Sequence, residues 1–178
     1  MLASEGFTPT KVYWMMRWEA EEVRSVDLPP SLSFRTFKPD QDEETLTELQ
    51  NSAFAQSWGF CPNSVEEISA RVRLERSDPN GIVFISDGQK PIAYNWTMST
   101  SNEVGSVGWI TMTGVHPDYR GRRLGAPVVV KGMEYLKAKG VAGIELEVDS
   151  ENTPARELYL ELGFRKLSEA VWYERRLR

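Results

Sequence analysis

One stretch of this chain constrains its fold more than any other. From Gly105 to Val115 the sequence reads as a strand, and from Leu124 to Lys139 as a helix ended by Gly140. From Ile144 to Val148 a strand returns, with Ile144, Leu146 and Val148 on one side and Glu145, Glu147 and Asp149 on the other. Strand, helix, strand in that order calls for a parallel pair joined by one right-handed crossover. The loop between the first strand and the helix is rich in glycine and arginine: Arg120-Gly121-Arg122-Arg123-Leu124-Gly125-Ala126.

The flanking segments are hairpin-like. Ser33 to Phe37 reads as a strand. Glu43 to Ala55 reads as a helix with Leu46, Leu49 and Ala53 on one face. Asn63 or Ser64 caps a second helix from Val65 to about Arg76, with Glu66 and Glu67 in its first turn. Asp78 to Gly81 reads as a turn, and Ile82–Ser86 and Ile92–Met98 as strands joined around Asp87-Gly88. A polar stretch from Ser99 to Glu103 forms a second hairpin into Gly105. Thr153-Pro154 opens a short helix that Gly163 ends, and two last strands are expected near Phe164–Leu167 and Val171–Leu177. The expected fold is α/β with α+β layering. It has a mixed, mostly antiparallel twisted sheet of about seven strands, helices on both faces and one parallel β-α-β crossover.

A chain of 178 residues suits one domain, and its net charge of −5 argues against a sequence-independent grip on nucleic acid. Cys61 is the only cysteine, which excludes an intrachain disulfide and suits a reducing compartment. The start Met1 to Gly6 lacks a signal-peptide pattern, and no apolar run approaches the ~20 residues of a bilayer span. The reading is a cytoplasmic protein without membrane or nucleic-acid partners, and no metal is expected.

The glycine–arginine loop has a chemical reading of its own. A helix start offers unpaired backbone N–H groups and a positive dipole end, which together attract anions. Gly121 and Gly125 let the backbone come close to a ligand, and Arg120, Arg122 and Arg123 add charge where a diphosphate would sit. Two familiar phosphate loops do not fit. The triphosphate loop needs one more residue between its glycines and a Lys where Ala126 stands, and the dinucleotide fingerprint needs three glycines.

The run from Val115 to Ala126 resembles motif A of the GCN5-related N-acetyltransferases, Gln/Arg-x-x-Gly-x-Gly/Ala. Arg120 and Gly125 match, and Arg123 stands in the usual first glycine position. The run from Asn152 to Phe164 resembles the same family's motif B, with Asn152, Ala155, Tyr159, Gly163 and Phe164 matching. The resemblance covers roughly Leu32 to Arg178. It implies that the strands ending near Val115 and Val148 splay apart, that pantetheine pairs with backbone at Thr113, Gly114 and Val115, and that a pyrophosphate rests on amides from Gly121 to Ala126. It implies acetyl-CoA as co-substrate, with Arg120, Gly121, Arg122, Arg123, Leu124, Gly125, Ala126 and Asn152 on the cofactor. Tyr159 is implied as the general acid beside the cofactor sulfur. The implied activity is direct acetyl transfer to a primary amine of a small molecule or peptide.

Plainer readings stand beside these. Tyr159 also suits ring packing, Asn152 a helix cap, and the arginines a solvated surface. His116 reads as a turn residue and Cys61 as a small apolar one. Glu145 and Glu147 are either a solvated strand face or carboxylates able to take a proton through water. Trp58 and Phe60, in the linker between the first two helices, either wall an acceptor pocket or close the core. Tyr94, Trp96 and Trp109 read as core. A non-catalytic acyl-CoA-binding module within a tandem protein is the alternative function.

The N-terminus carries an echo of the C-terminus. Gly6-Phe7 precedes Val12-Tyr13-Trp14, as Gly163-Phe164 precedes Val171-Trp172-Tyr173. Residues 1–30 therefore read as an extension holding the last strand of a preceding, similar domain, and 31–178 as the acetyltransferase domain. That pattern resembles the tandem-domain members of the family, a group that includes mycothiol synthase-like proteins. Lys11 to Trp18 is expected to add a strand to the sheet, in this chain or in a partner copy.

Overall fold

The computed structural model describes residues 3–102 and 105–175. In chain order the elements are β1 (Thr8–Trp18), β2 (Leu32–Thr36), α1 (Glu43–Phe54), α2 (Val65–Val72), β3 (Ser77–Asp87), β4 (Lys90–Asn102), β5 (Gly105–Val115), α3 (Gly125–Ala138), β6 (Gly143–Asp149), α4 (Thr153–Glu161) and β7 (Arg165–Glu174). Seven strands form one open sheet in the order β2-β3-β4-β5-β6-β1-β7. Among the described residues only β5 and β6 pair in parallel, across the crossover that contains α3. The mixed, mostly antiparallel sheet expected from the sequence is therefore the one that forms.

Alternation along β3 shows where the layers lie. Phe84 packs with Leu46 and Leu49 of α1 and Ile68 and Val72 of α2. Its neighbour Ile85 packs with Val128 of α3. Successive strand residues face opposite sides, so α1 and α2 cover one face and α3 the other. On the α3 side, Val129, Met133 and Leu136 meet Ile144, Leu146 and Val148 of β6, together with Tyr159 of α4. The acidic residues of β6 consequently point to the α1–α2 side.

Local chemistry explains the element ends. Ser64 caps α2, its hydroxyl accepting from the Glu67 amide at 3.2 Å while the Ser64 amide donates to the Glu67 carboxylate at 2.8 Å. Asn63 instead bonds Asn51 of α1 through its backbone, at 2.9 and 3.0 Å. The helix ends at Val72, earlier than the expected Arg76, because β3 begins at Ser77. The expected turn at Asp78–Gly81 is drawn into β3 as an irregularity between the Ser77↔Met98 and Ile82↔Trp96 pairs. Tyr135 of α3 and Lys139 just after it both donate to the Asp78 carboxylate and hold this stretch against the helix.

Two further differences concern the sheet edge. The two last strands expected from the sequence are one continuous β7, paired with β1 from Glu174 back to Arg165. β1 itself lies inside the sheet of this chain, between β6 and β7. A ladder partner along its whole length lets β7 continue through the polar residues Ser168 and Glu169 that read as a break. At the β4–β5 hairpin, pairing runs out to Asn102↔Gly105. Glu103, at the tip of that expected turn, lies outside the described residues, as does Leu177.

Candidate active site

The β5–β6 ladder is short. It pairs Val107–Ile110 with Gly143–Leu146 and stops there. Beyond it, Met112 to Val115 pair only with β4, and Glu147 to Asp149 only with β1. The backbone edges that face each other across this gap are thus open. Trp96 pairs with Met112 and Thr97 with Ile110, so Thr111 is an extra residue in β5 where the strands part, and its hydroxyl donates to the Trp96 carbonyl at 2.9 Å. An extra residue in one strand bends the ladder and re-aims the residues beyond it.

Two cavities meet at this gap. A groove of about 1140 Å³ runs past Thr113–Val115 to the loop before α3. A second cavity of about 950 Å³ lies toward the α1–α2 linker and the acidic side of β6. Thr113, Asn152, Ala155 and Tyr159 border both.

The first groove ends on the start of α3. Leu124 is the N-cap residue and makes no side-chain capping bond, and no acidic side chain lies in the first turn. The first amides of a helix have no partner within it, and Pro127 has no N–H, so the groove ends on the Gly125 and Ala126 amides, unpartnered among the described residues. The loop reaches this position through two left-handed residues, Gly121 at φ 76° and Arg123 at φ 57°. The first is easy for glycine; the second is strained for arginine. Gly114 answers to a close approach instead of a bulge. A Cβ there would lie 2.5 Å from the Tyr94 ring and 2.9 Å from Ala53, and no register shift occurs at this residue.

The loop arginines part company. The Arg120 guanidinium donates to the Ala53 carbonyl and ties the loop to the end of α1. Arg123 borders the groove. Arg122 does not: it lies over the Tyr119 ring, 4.6 Å from its centroid, and donates to the Asp118 carbonyl at 3.3 Å. Every other residue singled out from the sequence for the cofactor, and Tyr159, borders this groove.

Tyr159 is 8% exposed, with its ring edge-on to Phe164 at 5.7 Å. Burial pushes its phenol above the ordinary 10.0, and the neighbouring Thr113 side chain pulls partway back. Thr113 is itself held by Asn95, whose amide donates to its hydroxyl at 2.8 Å. Asn152 does cap α4, its side chain accepting from the Ala155 amide at 3.3 Å, and still borders both cavities. His116 is a turn residue whose Nδ1 accepts from the Asp118 amide at 3.3 Å.

The second cavity gathers residues that sequence reasoning treated separately or missed. Trp58, 43% exposed, and Phe60 wall it and do not close the core. Cys61 is exposed on its border. Tyr94 and Trp96 are buried in the core, as read from the strands. Of the β6 carboxylates, Glu145 is bound by Arg17 at 2.8 Å. Asp149 is bound by Lys11 at 2.9 Å, and Glu151 by the same ammonium. Those two carboxylates, Glu151 the more strongly, raise the Lys11 pKa and fix its charge. Glu147 faces the cavity without a cation partner among the described residues.

Lys11, Tyr13 and Gln50 complete this cavity and were not anticipated. Gln50 is 2% exposed, and its side-chain carbonyl has no hydrogen-bond partner among the described residues. It follows Leu46 by four residues, so a polar residue on the buried stripe was the available signal.

Comparison with known proteins shows the family and the fold. The model of the Acetyltransferase (GNAT) family matches residues 43–164. The mycothiol acetyltransferase of Arthrobacter sp. (strain FB24) is 31% identical over 97% of this chain and 55% of its own length. The chain thus spans about half of the curated relatives it matches. A GCN5-related N-acetyltransferase structure from Sphaerobacter thermophilus has a TM-score of 0.81 at 23% identity, covering 97% of this chain and 53% of that one. The NatC complex bound to Gag peptide and CoA matches with a TM-score of 0.66 at 18% identity, over 78% of this chain and 87% of that one. Among the described residues no helix is long and apolar enough to cross a membrane.

Proposed function

Because this chain belongs to the GNAT family of acetyltransferases, we propose that it moves an acetyl group directly from acetyl-CoA to a primary amine of a small molecule or peptide. The observation that carries the reading is the position of Tyr159, which borders both cavities at the point where they join. The pyrophosphate rests on the amides at the start of α3, with Arg123 beside it. The pantetheine arm runs along the open edge of Thr113, Gly114 and Val115, which brings the thioester to Tyr159. The amine enters from the second cavity.

Transfer then needs no covalent enzyme intermediate. The amine lone pair attacks the thioester carbonyl, the C–S bond breaks, and the departing thiolate takes the Tyr159 proton. A phenol whose pKa is raised by burial stays protonated at neutral pH, as an acid must. Isothermal calorimetry with acetyl-CoA, followed by a thiol-release assay over a panel of amines, tests the reading; binding with turnover supports it.

A second reading is favoured by the length comparison. Relatives of about twice this length contain a further portion, and this domain would then be an acyl-CoA-binding module that works beside a second one. Binding without turnover of any amine selects it. In either case we propose that β1 is the closing strand of a preceding, similar domain. That neighbouring domain, or a second copy of this chain, is the partner the sheet edge would meet. The single cysteine suits a cytoplasmic setting.

A further inference from the structure

We propose that Glu147 captures the acceptor as its ammonium form and takes a proton from it. Gln50 meanwhile selects acceptors that carry a second N–H or O–H donor. This deepens the acetyltransferase reading and rests on it.

Charge pairing singles out the carboxylate. Four acidic side chains lie along or just beyond β6. Arg17 engages Glu145, and Lys11 engages Asp149 and Glu151. Glu147 alone is left without a cation among the described residues, on the α1–α2 side, in the cavity that Tyr159 also borders. Asp149 and Glu151 share one ammonium, so Glu147 is the carboxylate here without a cation of its own, and a protonated amine supplies that partner. The titratable groups facing it are Lys11 and Tyr13 from β1, Asp149 and Glu151, Arg71 from α2, Cys61 from the linker and Tyr159 from α4.

Gln50 is an independent observation on another element. Its side-chain carbonyl is buried and unpaired among the described residues, in a residue that borders the same cavity. A buried acceptor without a donor is costly, and a ligand donor would recover that cost. The cavity therefore suits a polar amine better than a plain alkylamine.

The steps balance. Glu147 takes one ammonium proton and releases it to solvent. The nitrogen lone pair forms the C–N bond to the acetyl carbon, and the C–S bond breaks with its electrons on sulfur. The thiolate takes the Tyr159 proton, and the nitrogen's second proton passes to the tyrosinate. The products are the amide, free coenzyme A thiol and one proton.

The test uses the whole chain with acetyl-CoA and five probe amines: ethanolamine, serinol and glycinamide against propylamine and glycine. The donor-bearing, uncharged-tail amines should show kcat/KM at least about tenfold above propylamine and glycine. Gln50→Leu should erase the preference over propylamine. Glu147→Gln should lower kcat/KM about 100-fold at pH 7 for every amine, leave the acetyl-CoA Kd within about twofold, and recover as pH rises and free amine accumulates. Glu147→Asp should restore part of the rate. Wild-type turnover with no loss in Glu147→Gln, or with no preference among the amines, overturns the proposal. Acetyl-CoA binding without turnover of any of the five also overturns it. Failure to bind acetyl-CoA at all overturns the acetyltransferase reading beneath it.

Discussion

Thr113 on β5 and Tyr159 on α4 lie side by side across the gap where the two parallel strands part, and each borders both cavities. A strand residue and a helix residue distant in the chain thus mark one point, at the junction of the groove proposed for the coenzyme and the cavity proposed for the amine. Asn95 holds Thr113 from the neighbouring strand. The junction is built on regular elements and not on loops.

Removing the Tyr159 hydroxyl should separate chemistry from binding. Tyr159→Phe keeps the ring against Phe164, and Thr113 keeps its bond from Asn95. We expect kcat to fall about 100-fold or more, the usual scale for losing a general acid, with the acetyl-CoA Kd unchanged within about twofold. Steady-state kinetics beside calorimetry check it; equal losses in both would make Tyr159 a packing residue.

Arg123 carries backbone strain that glycine would not. Its φ of 57° lies in the left-handed region. Arg123→Gly should therefore raise stability by about 1 kcal/mol in urea unfolding, the relief exceeding the added freedom of the unfolded chain. The same variant should weaken coenzyme binding through the lost charge. A destabilised Arg123→Gly would show that the side chain contributes packing outweighing the strain.

Alkaline pH should unfold the protein through its buried phenols. Burial raises the pKa of Tyr94, of Tyr159, and of Tyr135, the last to about 12 with a further push from its bond to Asp78. Below pH 10 these phenols are protonated in both states and cost nothing. Above it the unfolded chain releases protons that the folded one keeps, so stability falls by up to about 1.4 kcal/mol per pH unit for each. Urea midpoints at pH 9, 10 and 11 should be level at first and then drop. A flat series to pH 11 would contradict the burial of these rings.

Much of this was legible in the residues, for physical reasons. Alternation in Ile144–Val148 separated an apolar from an acidic face, and the glycine–arginine loop marked a helix start open to anions. The seven-stranded mixed sheet followed from the order of those elements. The features that stayed hidden depended on partners far away in the chain. The continuity of β7 comes from β1, which lies more than a hundred residues earlier. The Asp78–Gly81 turn became strand because Tyr135 and Lys139 supply donors to Asp78. Arg122 looked equivalent to Arg123, yet the Tyr119 ring draws it away from the groove. Nor could a sequence say which β6 carboxylate stays unpaired, since Arg17 and Lys11 make that choice from a neighbouring strand.

The measurement that bears most directly on the account is a calorimetric titration of coenzyme A into the wild-type chain and into Ala126→Asp. Ala126 borders the groove in the first turn of α3. A carboxylate there favours the helix dipole, by about 0.3–1 kcal/mol, while competing with a diphosphate for the same amides. The account expects binding to the wild type, at least about tenfold weaker binding to the variant, and a melting temperature that does not fall. Equal affinity for both chains, or no binding to either, would contradict it.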